Sequence, residues 1–195
     1  QHFVRRRQRQ MCIRDRFPSS QNGSYKLSNT MNYYNPYIEN DVQERRITEL
    51  FQESIITAYQ EDSINFSSFD LIVVFHAGIG QDFSLPFLDP TPEDIPSTYI
   101  DQKMISDNLN EVGIILGEHL IDRGIILPES QNHLLYDIAE SMFGDATDPC
   151  EYQYGLTGTF ALMVGFAIGL PPLWNIDSGE SRVGVFGLMD QGSNC

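Results

Sequence analysis

The sequence predicts an α/β (α+β) domain with a mixed sheet, and three stretches of the chain carry this prediction. Residues 41–61 place apolar side chains at helical spacing along one face. Residues 71–75 form a continuous apolar and mostly β-branched run, which is typical of a buried central strand. Residues 158–169 form a second helical run. With 195 residues and 41% hydrophobic content, the chain is long enough for one domain with a substantial core.

Both helices carry start or stop signals in the sequence. Asp41 is the expected N-cap of the first helix, with a glutamate three residues further on as in a capping box. Thr157 or Thr159 is expected to cap the second helix. Gly169, followed closely by Pro171 and a second proline, predicts where that helix ends.

The middle third of the chain gives a less specific pattern. Residues 113–117 and 124–127 are short apolar runs that predict two strands or a strand pair. Pro128 is expected to open a helix over residues 129–143. Residues 81–97 contain four prolines and four acids and predict a rigid, exposed loop. The four acids of this loop offer oxygen ligands that could bind calcium, although their spacing matches no EF-hand. These acids are Asp82, Asp89, Glu93 and Asp94.

Charge is unevenly distributed along the sequence. The formal net charge is −15, yet residues 1–16 hold six of the twelve basic side chains and one of the 27 acidic ones. The remaining residues therefore carry six basic and 26 acidic side chains, a net charge of −20. A strongly acidic body disfavours binding to nucleic acids and to anionic membranes. The partner that we expect is an unidentified protein.

The two ends of the sequence look incomplete. Residues 11–16, Met-Cys-Ile-Arg-Asp-Arg, resemble the translated end of a sequencing-library transposon, as found in metagenomic fragments. We therefore expect residues 1–16 to be a non-native tail and residues 17–195 to be a single domain that is cut at both ends. A basic arm for nucleic acid or membranes is the alternative. Three cysteines, the first in this tail, provide no disulfide framework; they are Cys12, Cys150 and Cys195.

The second helical run contains Gly165 and ends in Ile-Gly-Leu-Pro at residues 168–171, and residues 188–193 read Leu-Met-Asp-Gln-Gly-Ser. With this pattern, residues 158–193 resemble the active-site region of the immune inhibitor A family of secreted metallopeptidases, a zincin (metzincin-like) family. That family has a helix of pattern His-Glu-Phe-Gly-His-x-Leu-Gly-Leu-Pro-Asp, followed by a Leu-Met-(Asp/Ser)-x-Gly-Ser turn. In this chain the helix pattern is matched by Gly165 and by residues 168–171, and the turn by residues 188–193. The resemblance extends to the helix of residues 41–61 and to the strand of residues 71–76, which has a His-Ala-Gly triplet at its end, residues 76–78. With residues 158–193, these segments match in the same order and cover about two thirds of the chain beyond residue 16.

The residues that would hold zinc in that family are replaced here. The first histidine position is Leu162, the general-base glutamate is Met163, the second histidine is Phe166, and the distal acid is Pro172. Two imidazoles at positions i and i+4 can share a zinc ion, and the glutamate between them takes a proton from bound water. Leucine, phenylalanine and proline offer no donor atom, and a thioether cannot act as a base.

The resemblance therefore implies a catalytically inactive metallopeptidase-like domain, a pseudoenzyme whose metal cavity is refilled as apolar core. We expect neither a catalytic residue nor a zinc ion, and we expect the domain to act as a binding or structural module of a secreted, extracytoplasmic protein. Several positions of the family pattern are retained as scaffold, and these are His76, Gly78, Gly165, Gly169 and Met189.

Two other functions remain open at this level. An active zinc metallopeptidase could use unusual ligands, drawn from His76, His119 and His133. The last two have acidic neighbours, namely Glu118, Asp122 and Asp137. Residues 156–174 contain no charge and could be mistaken for a membrane span. However, the apolar part before the prolines has about fifteen residues where a bilayer requires roughly twenty, so a buried helix is favoured.

Overall fold

The computed structural model describes residues 17–18, 23–36, 40–82, 92–132, 153–154, 156–176 and 178–194. Four helices and six strands lie in these ranges, together with short 3-10 turns. Several predictions fall outside them: the tail of residues 1–16, residues 133–143 of the predicted helix, and the side chains Asp89, His133, Asp137, Cys150 and Cys195.

The helices are α1 (Met31–Tyr34), α2 (Asn40–Asp62), α3 (Gln102–Leu109) and α4 (Thr157–Ala167). The strands are β1 (Val73–Ile79), β2 (Thr98–Ile100), β3 (Ile114–Leu116), β4 (His119–Ile121), β5 (Gly124–Asn132) and β6 (Gln153–Tyr154). The fold is thus mixed α/β, as the sequence predicts.

Strand β5 is the centre of the main sheet. Strand β1 pairs with it in parallel, with Val73 opposite Ile125, and β2 pairs with it in antiparallel orientation. Strand β6 is antiparallel to the far end of β5. The prediction of a central strand at residues 71–75 is therefore wrong in position, because the order β1-β5-β2 leaves β1 at an edge of the described sheet. Phe75 is accordingly 60% exposed.

The two faces of the sheet pack against different helices. On β5, Ile126 faces a large core built mainly by α2. Ile125 and Leu127 face the opposite way and contact α4. Because side chains alternate across a strand, one apolar run can serve both layers, and a strand buried on both faces shows no polar alternation. The sheet therefore lies between α2 and α4.

Helix α2 confirms the prediction for residues 41–61. Its apolar face is buried in the larger core through Ile47, Leu50, Phe51, Ile55 and Ala58. The expected cap is wrong, since the helix begins at Asn40 and Asp41 lies in its first turn. An acidic side chain in that position still interacts favourably with the positive end of the helix dipole.

The predictions for the middle of the chain are confirmed in part. Residues 114–116 and 124–127 both lie in strands, as expected, but they do not form a pair, because residues 114–116 pair with β4 in a separate hairpin. The predicted helix after Pro128 is wrong. Strand β5 continues to Asn132, so no helix begins at residue 129. Pro128 lies inside this strand, where the register with β1 shifts beyond His76. A shifted register tolerates a residue that has no N–H to donate.

The expected exposed loop of residues 81–97 is also wrong for its described end. Residues 92–97 are partly or fully buried, and Ile95 belongs to the larger core. The Asp82 carboxylate accepts hydrogen bonds from the Ser97 N–H and hydroxyl, each at 2.7 Å. These contacts bring the two described ends of the loop together.

Candidate functional site

Helix α4 ends as the sequence predicts. The Leu170 N–H donates to the Gly165 oxygen at 2.9 Å, and the Gly169 N–H donates to the Phe166 oxygen at 2.9 Å. This pair of bonds is a Schellman motif, in which the residue after the cap is left-handed. Gly169 has a φ of +88°, which favours glycine. At the other end, Leu156 precedes the helix and no side chain caps it, so the predicted threonine caps are wrong.

Met163, which the resemblance aligns with a general base, is part of the apolar core. Met163 is 9% exposed and packs with Ile125 and Leu127 of β5. Leu162, at the first histidine position, is partly buried against the same cluster. A methionine in this place fills space between helix and sheet with a flexible apolar side chain, and it offers no proton acceptor to a water molecule.

Aromatic rings surround the position of the family's second histidine. The ring centroids of Phe166 and Tyr99 are 6.2 Å apart, and those of Phe166 and Trp174 are 5.9 Å apart with the rings edge to face. Both separations lie in the range of favourable aromatic pairs. Burial raises the pKa of the Tyr99 phenol. Pro172, at the distal acid position, is partly buried.

The turn that contains Met189 packs directly under α4. A Cβ atom added to Gly165 would lie 2.4 Å from the Met189 sulfur, so only a glycine permits this approach. The Leu173 N–H donates to the Met189 oxygen at 2.8 Å and ties the turn to the chain that leaves the helix. Gly165 and Met189, which the resemblance treats as retained scaffold, are thus in contact.

Asp190 organises the loop before this turn. Its carboxylate accepts hydrogen bonds from the N–H groups of Arg182 at 2.9 Å, Val183 at 2.8 Å and Gln191 at 2.9 Å. Burial alone would raise the pKa of the Asp190 carboxyl, but these backbone donors lower it to about 2. The carboxylate is therefore charged throughout the physiological range and holds the loop in one conformation.

The other scaffold residues lie in β1. The His76 Nε2 atom is 3.1 Å from the Ile95 oxygen, and its Nδ1 atom is 3.0 Å from the Ala77 oxygen. The histidine is in the middle of the strand and not at its end as predicted. Its ring is used in holding residue 95 beside the strand, which is a structural role. Gly78 follows with a φ of +96°.

His119 lies at a cavity in the described part of the chain. This open cavity of about 450 Å³ is formed by residues 66–72 and residues 118–123. It brings His119 together with Glu118 and Asp122, the acidic neighbours noted in the sequence. The Arg123 Nε atom is 3.6 Å from Asp122. In the described ranges, however, no three histidine, cysteine or acidic side chains are placed to hold a metal ion.

Two of the acids proposed as calcium ligands, Asp82 and Glu93, accept hydrogen bonds through their carboxylates. Asp82 binds Ser97 as described above, and the Glu93 carboxylate accepts a hydrogen bond from the Asn32 side chain at 3.1 Å. The main-chain oxygen of Asp94 accepts another from the Asn35 side chain at 2.6 Å. These bonds attach the end of the loop to the segment around α1.

The residues after α4 form an apolar surface that the sequence did not predict. Several large apolar side chains there are exposed to solvent, and five of them lie around the 3-10 turn of residues 184–186: Leu173, Val183, Val185, Phe186 and Leu188. We refer to these five residues as the apolar loop surface. The sequence shows apolar residues at positions 183, 185, 186 and 188, within a stretch that is otherwise rich in glycine and serine. Because that composition indicates a loop, these apolar residues are not recognised as a surface from the sequence alone.

Comparison of the chain with known proteins finds no matching family model, no matching curated protein and no matching solved structure. The described structure thus defines the class of fold, a mixed α/β domain with helices on both faces of its sheet. None of its described helices combines the length and apolar character needed to cross a bilayer.

Proposed function

We propose that this chain is a zincin-like, catalytically inactive metallopeptidase domain, which acts as a binding or structural module of a secreted protein. The observation that supports this proposal best is the environment of Met163. A general base must contact the attacking water at hydrogen-bonding distance. Here the corresponding side chain is buried between α4 and β5, in contact with Ile125 and Leu127.

The surroundings of Met163 support the same reading. A catalytic zinc site requires three nitrogen, oxygen or sulfur ligands and one open position for water. The helix face beside Met163 carries Leu162 and Phe166, and the Phe166 ring packs on Tyr99 and Trp174. Protein interiors are close-packed, so apolar side chains that fill such a place exclude both the ion and the water.

The test is the zinc content and peptidase activity of the purified chain. We expect far less than one zinc ion per chain by atomic emission, and no cleavage of casein with or without added zinc. An active zinc peptidase assayed in parallel, with and without chelator, is the control. Stoichiometric zinc together with chelator-sensitive casein cleavage would contradict the proposal. Loss of that zinc in His119→Ala would then assign the metal to the cavity of residues 66–72 and 118–123.

A further inference from the structure

The residues of the apolar loop surface lie close together, since four of them belong to residues 183–188 and Leu173 contacts the same turn. A Cβ atom placed on Gly187 would lie 3.3 Å from a Val183 methyl carbon and 3.5 Å from a Leu173 methyl carbon, so these side chains are neighbours. Phe186 is next to Gly187 in the chain and is 93% exposed. Scattered exposed apolar residues are ordinary in proteins, whereas a contiguous patch marks an interaction site.

Hydrogen bonds hold this surface in its exposed conformation. The Gly184 N–H donates to the Ser181 hydroxyl at 2.8 Å, and the Gly187 N–H donates to the Gly184 oxygen at 3.2 Å, which closes a 3-10 turn over residues 184–186. The Asp190 carboxylate binds the N–H groups that precede this turn. The Phe186 ring is thus presented by a fixed backbone, and pre-organisation of this kind reduces the entropy lost on binding.

The charge of the domain indicates what kind of partner fits. Residues beyond 16 carry a net charge of −20. Most of their few basic side chains also lie within 4.0 Å of a carboxylate: Arg45 and Arg46 beside Glu49, Lys103 beside Asp107, and Arg123 beside Asp122. The field around the domain is therefore negative, and it attracts basic partners and repels acidic ones.

We propose that the apolar loop surface docks a cationic amphipathic segment of a partner protein. The apolar side of that segment covers Phe186 and its apolar neighbours, and its basic side chains lie in the negative field of the domain. An exposed aromatic side chain in the centre of an apolar patch is the usual anchor of a protein interface. This inference rests on the proposed binding role and names the partner class for it. It can fail while the module remains free of zinc, so the two proposals are tested separately.

Binding of a labelled helical peptide of leucine and lysine to the full chain, followed by fluorescence anisotropy, tests this docking. We expect saturable binding that is weakened at least roughly tenfold by Phe186→Ser combined with Val185→Ser. The matched control is Ile115→Ser, which removes a 65% exposed apolar side chain from β3 and should leave binding unchanged. Phe186→Leu should keep most of the affinity, and circular dichroism should show that every variant is folded.

Four results would overturn the proposal. The first is unchanged affinity of the double variant. The second is equally tight binding of a peptide in which glutamate replaces lysine, since this would show that the negative charge of the domain does not select a cationic partner. The third is a dimer of the parent chain, seen by sedimentation velocity, that dissociates in Phe186→Ser, because a second copy of the chain would then cover the surface. The fourth is flotation of the chain with neutral phosphatidylcholine vesicles that Phe186→Ser abolishes, because a lipid would then be the partner.

Discussion

Replacement of Gly124 by valine is expected to destabilise the domain by about 3 kcal/mol or more, because the new side chain would overlap the core. Even a Cβ atom at this position would lie 2.2 Å from the Phe51 ring and 2.9 Å from the Ile72 main-chain oxygen. Phe51 is fully buried in α2 and belongs to the larger core. Urea denaturation of the variant and the parent chain measures the difference.

The control for this prediction is Phe75→Val, which places the same valine side chain at an exposed position of β1. Its unfolding free energy should stay within roughly 0.5 kcal/mol of the parent. If Gly124→Val were equally harmless, α2 would not pack on the start of β5, and the arrangement of helix and sheet described above would be wrong.

Introduction of the family's general base, Met163→Glu, is expected to cost roughly 3–5 kcal/mol, the range seen when a buried charge has no partner. The carboxylate would face Ile125 and Leu127, which provide no hydrogen-bond donor side chains. Thermal or urea unfolding of the variant measures this loss.

Two control substitutions separate the effect of burying a charge at residue 163 from the effect of replacing the methionine and from the effect of adding a glutamate to α4. Met163→Leu conserves apolar volume and should cost less than about 1.5 kcal/mol. Phe160→Glu places the same charge on an exposed side of α4 and should cost much less than Met163→Glu. A Met163→Glu variant as stable as the parent would mean that this position faces solvent or a polar cavity, which contradicts the assignment of the helix face to the core.

The sequence predicted those features whose cause is local. The apolar face of α2 follows from helical spacing within one segment, and the end of α4 follows from a glycine whose left-handed conformation completes a Schellman motif. Both were confirmed. Helix beginnings were predicted less well, because Asp41 and the threonines near residue 157 lie within the first turns and not before them.

Strand pairing was predicted poorly because it depends on distant residues. Residues 114–116 have an adjacent partner in β4, whereas residues 124–127 pair with β1, about fifty positions earlier in the chain. Nothing in the local pattern of either run distinguishes these outcomes. Pro128 was equally misleading, since a proline that often starts a helix is here accommodated by an irregular strand register.

At the candidate site, Met189 packs under Gly165, and Met163 lies in apolar surroundings. That these residues replace a zinc site stays a prediction. The membership of the chain in the immune inhibitor A family remains a proposal. The apolar loop surface was not predicted, because the exposure of an apolar side chain is a property of the folded chain and not of its composition.

The central claim is that the α4 face is core and not a metal site. Thermal unfolding with excess zinc and with excess chelator tests this claim most directly. A ligand that binds only the folded state at a hundred times its dissociation constant stabilises it by about 2.7 kcal/mol, or roughly 5–10 °C for a chain of this size. We predict the same midpoint in both conditions. A midpoint that is higher by several degrees in zinc, and that returns to the chelator value in Met163→Leu or Tyr99→Phe, would contradict the claim, because each of these variants removes one donor atom from this face and keeps its apolar bulk.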